Sequence, residues 1–415
     1  MNPSKKSLRI LFVSPYYPPE MGAPQARISD LAIRLARRGH NVTVLTGFPN
    51  YPTGIIPPEY RGKWFLREES KGVKIIRTWI YPTSNTRLYW RLTNYFSYVI
   101  SSIISSFRCD KADVLYVESP PLFDGIAGYI ISRMKRAPYL FNVADLWPDF
   151  AVELGLVRKS IFLKIAYRME AFFYKKAGCV ATVTKGLIDR LHNEKNIPAD
   201  KLVLLMNGAD LKMFHPDISG SEIRKKLNIQ EKFIAGYIGN IGHWQGLETV
   251  IDAAAILADN PKYHFLLIGD GARKEAIEKY IADKKLNNVT LLPVQPREDI
   301  PAYWAAVDCA LVPLRKVACA EQALPVKIFE AMAMAKPVIL GIGGEARSLV
   351  HEAKAGIVVE PENPESYVEA IIHLAEDKSA MESMGFNGRK YVEQHFDRDK
   401  LAEIVEKVFL QMVQE

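Results

Sequence analysis

Cysteine is scarce in this chain: four in 415 residues, at positions 109, 179, 309 and 319, with no CxxC pair among them. That argues against a disulfide framework and thiolate zinc sites, and it suits a reducing cytosol. Long apolar runs are missing too. No window of about 18 uninterrupted apolar residues exists, so no membrane-spanning helix is expected. The basic start, Lys5, Lys6 and Arg9, leads only into a short strand-like run at 10–13 with no small-residue cleavage site, so no secretion signal is expected either. GxGxxG, a P-loop, HExxH and a serine–histidine–aspartate order are all absent. Without the dinucleotide fingerprint, an NAD-dependent oxidoreductase is a remote reading. Short-period repeats and low-complexity tracts are also lacking.

What is present reads as an ordinary globular protein, with 48% hydrophobic and 24% charged residues and length enough for two or three domains. The net charge of +7 conceals an asymmetry. Residues 1–212 hold 31 Lys and Arg against 17 Asp and Glu, a net +14; the remainder hold 23 against 30, a net −7. A nucleic-acid binder would be basic throughout, so no nucleic acid is expected. A protein that turns one domain toward an anionic membrane surface would show this split.

Short apolar strands alternate with amphipathic helices, the pattern of parallel α/β layers. Strands are expected at 8–14, 41–46, 73–77, 112–117, 139–143 and 179–183, and a second series at 233–239, 264–268, 289–292, 308–312, 337–340 and 356–359. A polar, turn-rich segment at about 206–232, with Asn207-Gly208, Pro216 and Ser219-Gly220, separates the two series. The expected architecture is two doubly wound, Rossmann-like domains, 1–206 and 207–396, facing across a cleft. The last helix, about 397–415, is expected to pack back on the first domain. Ligands of such sheets bind at the carboxyl ends of the strands.

The candidate residues fall at those ends. The most informative stretch runs from Gln322 through Pro325, Val326, Lys327 and Glu330 to Lys336-Pro337. Pro325 suits the first turn of a helix, and Leu324, Ile328, Phe329 and Met332 supply its apolar face. The free amides around Val326 and Lys327 make a phosphate seat. Glu330, placed among hydrophobes, needs strong donors, and vicinal sugar hydroxyls would serve. The turn Gly239-Asn240-Ile-Gly242-His243-Trp244-Gln245-Gly246 has the composition of a diphosphate cradle, with His243 and Gln245 as donors, or is a surface turn. Arg315 is either an anion ligand or a solvated cation, and Gly269-Asp270-Gly271 reads as a structural turn.

In the first half, the loop Pro15–Pro24 carries Glu20 and Gly22. Gly22 either lets a substrate approach a helix N-terminus or belongs to an ordinary stiffened loop. Asp145 either contacts an acceptor hydroxyl or caps the next helix. Two aromatic, arginine- or lysine-flanked segments, 88–107 (Trp90, Tyr95, Phe96, Tyr98) and 161–176 (Phe162, Phe172, Phe173), suit interfacial helices or core-facing ones. No DxD stands at a strand end, so no divalent metal is expected.

In order and spacing these segments resemble the retaining glycosyltransferases of family four, which have the GT-B architecture. The resemblance spans nearly the whole chain: Pro18-Pro19-Glu20-Met21-Gly22, Asp145-Leu-Trp-Pro148, Asn207-Gly-Ala-Asp210 with Phe214 and Pro216, Gly269-Asp-Gly271, the Pro325…Glu330…Lys336-Pro337-Val run and Gly343-Gly-Glu345. The Leu-Trp-Pro and Leu-Pro-x-Lys forms resemble a WbuB-type bacterial subgroup, N-acetyl-L-fucosamine transferases that build surface polysaccharides. The chain departs from the family where its first glutamate would stand, at Gln322. It departs again at the usual pyrophosphate-clamping Arg and Lys, here Asn240 and Gln245, and at a histidine, here Ala144.

The resemblance implies a metal-independent, retaining hexosyltransferase without a cofactor, whose co-substrate is a nucleotide-sugar, most simply a UDP-sugar. Glu330 would hold the ribose, Lys327 and the helix amides the diphosphate, Gln322 the sugar, and the main chain near Val294 the base; His243 and Arg315 are reserve cations. The acceptor would be a lipid-linked, undecaprenyl-diphosphate saccharide bound by the basic domain, with Glu20 and Asp145 near the reacting hydroxyl. The protein would then sit in the cytoplasm, peripherally on the inner membrane face. Two other readings remain: a GT-B nucleotide-sugar epimerase and a non-catalytic subunit of a polysaccharide assembly complex.

Overall fold

The computed structural model describes residues 7–20, 22–50, 53–84, 87–153, 160–317 and 321–414. Lys5, Lys6, Met21 and Cys319, which entered the sequence reading, lie outside the described residues. The chain divides into two units, Met1–Met206 with Asp399–Glu415, and Asn207–Arg398.

The first unit is built on β1 (Arg9–Val13), β2 (Asn41–Gly47), β3 (Phe65–Ser70), β4 (Val73–Thr78), β5 (Val114–Ser119), β6 (Tyr139–Val143), β7 (Cys179–Thr182) and β8 (Leu202–Leu204). They form one sheet in the order β3-β4-β2-β1-β5-β6-β7-β8, parallel except for the antiparallel pair β3–β4. The second unit carries β9 (Phe233–Ile238), β10 (Tyr263–Ile268), β11 (Val289–Leu292), β12 (Cys309–Pro313), β13 (Val338–Gly341) and β14 (Gly356–Val358). Their order is β11-β10-β9-β12-β13-β14, all parallel.

Most of these strands are apolar along their whole length because helices cover both faces of a parallel sheet. β5, for example, is buried at every residue. In the first unit two separate cores result. One lies under the helices Leu88–Ser106, Asp124–Lys135 and Ile161–Lys176 and includes Leu115, Val117, Phe141 and Phe173. The other lies under the helix Ala23–Arg37 and includes Phe12, Tyr116, Ile28 and Leu35. Two strands were not expected from sequence. β3 is a largely exposed edge with three charged or hydroxyl side chains in its second half, joined to β4 by Lys71 and Gly72, both at positive φ, a tight hairpin turn. β8 is only three residues long.

The second core also takes in the final helix. Val405, Phe409 and Met412 pack with the Ala23–Arg37 side of the first sheet. Around them sits a charged clamp. Arg34 Nε donates to Asp399 Oδ1 at 2.7 Å, and Arg38 Nε to Glu406 Oε2 at 2.7 Å. His40 Nδ1 accepts the Leu8 N–H at 3.1 Å, which leaves its other nitrogen, 3.0 Å from Glu406 Oε1, as the donor. Glu406 is thus a buried carboxylate held from two sides. Glu406→Ala leaves both partners uncompensated, and we expect a loss of about 3 kcal/mol, read as a lower urea midpoint with an unchanged slope. An unmoved midpoint would reduce the clamp to an incidental contact.

Candidate active site

In the second unit the strand ends converge on one loop cluster. Beyond β9, the Gly239 N–H donates to Ile268 O at 2.9 Å and the Ile241 N–H to Asp270 O at 2.8 Å, so the turns after β9 and β10 are tied together. The Gly269–Gly271 turn thus braces the turn after β9. The helix Val326–Ala333 approaches the same cluster. Pro325 stands at its N-cap position with no side-chain cap, leaving the first amides facing outward. Ile328, Phe329, Ala331 and Met332 are fully buried, each large one contributing about 1.5–3 kcal/mol of apolar burial. That packing fixes where the polar residues of this short helix point.

Lys327 lies across Tyr237, its ammonium 3.7 Å from the ring centroid. A β-carbon on Gly239 would come within 3.0 Å of the same Nζ, so the close seat requires glycine there, at φ +155°. The Tyr237 hydroxyl donates to Asn240 O and holds the ring in place. Burial pushes the Lys327 ammonium down to about 7, with Glu330 opposing. A lysine in that state gains much from an arriving anion.

Glu330 is 6% exposed, and the donor it finds within the protein is a residue the sequence did not mark. Arg297 Nη1 lies 2.7 Å from Glu330 Oε1, and its guanidinium sits 4.8 Å from the centroid of buried Phe214. Arg297 Nη2 is buried with no partner. No local pattern around Arg297 signals this role, which arises only when the loop after β11 meets the helix.

The remaining expected residues surround this pair less directly. Gln245 Oε1 accepts the Gly242 N–H at 3.0 Å and braces the β9 turn. His243 is exposed and Val294 is 41% exposed, two residues beyond β11. Arg315 is exposed, as the solvated-cation reading expects, and its Nη2 lies 3.4 Å from Glu248 Oε1, which Arg273 holds at 2.6 Å. Partial burial raises the Glu248 carboxyl, but the two arginines keep it below its usual range. Gln322 is half-buried.

In the first unit Glu20 is buried and its Oε1 accepts the Asn50 N–H at 2.7 Å, tying the β1 loop to the β2 loop. Gly22 is the N-cap of the helix Ala23–Arg37, without a side-chain cap. Asp145 follows β6, and the next helix starts only at Asp149, so Asp145 does not cap it. Burial raises the Asp145 carboxyl; Arg27 pulls it down and Glu118 pushes it up. Those two neighbours were missed. Arg27 pairs with Glu118, a fully buried carboxylate at the end of β5 that also accepts from Asn142 Nδ2 at 3.0 Å. A signal for both existed: Arg27 is a cation near a helix N-terminus, the unfavourable end for positive charge, and Glu118 interrupts an apolar strand.

Of the two aromatic segments, Tyr98 and Phe173 face the core, Tyr98 donating to Leu45 O at 2.9 Å. Phe96, Phe162 and Phe172 are exposed, together with Ile100, Ile104, Phe107, Ile161 and Ile165. No described helix is long and apolar enough to cross a membrane.

Known proteins decide between the readings of these two sheets. Residues 22–208 match the glycosyl transferase 4-like domain and residues 220–391 the glycosyl transferases group 1 family. The chain is a glycosyltransferase of GT-B type. It is 27% identical over 405 residues, 95% of this chain and 98% of the relative, to the putative colanic acid biosynthesis glycosyl transferase WcaI of Escherichia coli. It is 25% identical over 331 residues, 76% of this chain and 80% of the relative, to an E. coli UDP-Gal:alpha-D-GlcNAc-diphosphoundecaprenol alpha-1,3-galactosyltransferase. In fold it resembles Anabaena Alr3699/HepE, solved in complex with UDP and glucose, with a TM-score of 0.73, 19% identity and coverage of 97% of this chain and 99% of that one.

Among the described residues of this glycosyltransferase, one buried carboxylate has both side-chain oxygens without a hydrogen-bond partner. Asp124, at the start of the helix Asp124–Lys135, is fully buried with both side-chain oxygens unbonded. Burial pushes its carboxyl well above the usual range, and Glu118 adds to the push. Unfolded, the same group ionises near pH 3.9. The folded state therefore binds the extra proton above that pH, and stability falls as pH rises from about 4. Asp124→Asn removes this component, so its melting temperature should exceed the native one by a margin that widens from pH 4 to neutrality. Parallel melting curves across that range would disprove the assignment.

Proposed function

We propose that this glycosyltransferase moves a sugar from a UDP-sugar, with retention and without a divalent metal, to a lipid-linked saccharide during surface-polysaccharide assembly. The observation that carries the donor half is the seat of Lys327: a desolvated ammonium beside an uncapped helix N-terminus and a glycine turn. Diphosphate oxygens placed there meet a cation and free amides that need no rearrangement, and the same groups stabilise the charge on the departing nucleoside diphosphate. Glu330, aimed by Arg297, accepts from the ribose hydroxyls, and Gln322 contacts the sugar. The first unit holds the acceptor, with Asp145 near the attacking hydroxyl and Arg27 and Glu118 fixing the charge around it.

The relatives support this division: one is named for diphosphoundecaprenol-linked acceptors and one structure holds UDP and glucose. An N-acetylated amino sugar such as N-acetyl-L-fucosamine is the transferred group implied by the Leu-Trp-Pro and Leu-Pro-x-Lys forms. In this reading the enzyme works at the cytoplasmic face of the membrane. The exposed apolar residues of Leu88–Ser106 and Ile161–Lys176, flanked by exposed Arg91, Arg108, Lys164, Arg168, Lys175 and Lys176, form the contact.

Three measurements test the proposal. UDP-glucose is a diphosphate diester whose own charge is constant near neutrality. Its affinity should be highest below pH 7 and fall toward tenfold per unit above it, as the free enzyme's Lys327 loses its proton; Lys327→Met should flatten that profile, and an unchanged slope in the variant would exclude Lys327 from the diphosphate seat. Glu330→Gln keeps the shape but removes a charged acceptor, so kcat/KM for the donor should drop about 10- to 100-fold, while full activity would remove Glu330 from the ribose. Vesicle flotation should require anionic lipid and fall with salt, and Ile100→Asp with Phe162→Asp should abolish it; binding indifferent to lipid charge and salt would refute the electrostatic contact.

A further inference from the structure

A cavity of about 360 Å³ opens in the first unit beyond the ends of β2 and β4, and none of the residues discussed so far lines it. Its volume lies within the range of small-molecule sites, about 300–1,000 Å³. The wall is apolar: Phe48, Ile55, Ile56, Tyr60, Trp79 and Pro82. Arg61 and Lys63 stand at the rim, both exposed, and among the described residues no acidic side chain lines the space. The cations are held in place by their own loop, Arg61 Nε donating to Ile56 O at 2.9 Å and Lys63 Nζ to Glu59 O at 2.8 Å.

The cavity is a built feature of the loop 53–63. Gly54, at φ +69°, is pressed so closely on the 83–84 backbone that a β-carbon would meet Ser84 N at 2.0 Å. Tyr60 packs 5.8 Å from Phe48, with the Arg77 guanidinium 5.3 Å from its ring centroid. On the other side, Ser101 Oγ donates to Trp79 O, and Ser97 Oγ accepts the Tyr81 N–H at 2.7 Å, so the 79–82 segment is pinned to the helix Leu88–Ser106. Those two serines directly follow the exposed Phe96 and Ile100 on the same helix. The cavity therefore stands beside the same helix that carries the exposed Phe96 and Ile100.

We propose that this cavity binds the head-proximal isoprenoid units of a lipid-diphosphate acceptor, with Arg61 and Lys63 against its phosphates. The assignment rests on the reading of the first unit as the acceptor side, and it names the part of the acceptor that this loop selects. Apolar wall and cations act on different parts of one ligand, so each can be removed separately.

Farnesyl diphosphate is the soluble probe, followed by quenching of tryptophan fluorescence and by thermal shift, with farnesol, inorganic pyrophosphate and dihexanoyl phosphatidic acid as comparisons. Farnesyl diphosphate should bind at least tenfold more tightly than any of the three, and equally well when the protein is saturated with UDP. Ile55→Asp, at a position 58% exposed and so harmless to folding, should weaken it tenfold or more. The pair Arg61→Ala and Lys63→Ala should reduce it to the level of farnesol. All variants should keep the wild-type thermal shift with UDP, which confirms their fold. Equal binding to wild type and Ile55→Asp, parity with pyrophosphate, or displacement by UDP would overturn the proposal, and parity with the phosphatidic acid would reassign the cavity to membrane phospholipid. Failure of UDP to bind the wild type is a separate outcome: it refutes the donor reading, while the cavity is still judged by the farnesyl diphosphate titration.

Discussion

A half-buried ammonium group pressed on an aromatic ring is the constraint on which the loop cluster of the second unit is organised. Lys327 can lie on Tyr237 and against Gly239 only because the helix that bears it is anchored by Ile328, Phe329 and Met332 in a close-packed core. The cost of that desolvation is carried by the packing of the fold. The neighbouring Glu330 offsets part of that desolvation, while Arg297 holds the same carboxylate directly.

The first unit follows the same logic with opposite sign. Glu118 is buried under the Arg27 guanidinium and the Asn142 amide, and Asp145 stands beside them at the strand ends. In the same region burial pushes the carboxyl of Asp124, whose oxygens have no hydrogen-bond partner, well above the usual range. Removing one member of such a network exposes the remaining charges to an apolar surround, so its members are expected to be strongly coupled in mutational cycles. Glu20 lies on the loop after β1, where its Oε1 accepts a backbone amide and braces that loop against the one after β2.

Fold class was legible because parallel strands are apolar on both faces, and runs such as 114–117 and 338–340 announce themselves. β3 escaped because half its side chains are charged and exposed, and β8 because three residues carry no period. The helix at Val326 was legible from Pro325, whose missing amide is costless only at a helix start. Arg297 was not, because an ion pair between residues 33 apart in sequence leaves no mark on either. The inward turn of Tyr98 beside the outward turn of Phe96 shows the same limit: composition identifies an amphipathic helix, but packing decides which aromatic it hides.

The clamp between Arg34, Arg38, His40 and the final helix has a consequence for synthesis. Residues 399–415 complete the core of the first unit but are translated only after the whole second unit has been made. The usual order, in which an N-terminal domain finishes folding as it leaves the ribosome, is therefore broken here. Ile28, Leu35 and their neighbours remain partly uncovered on the nascent chain until Val405 and Phe409 arrive, which makes that face a natural client surface for a holding chaperone.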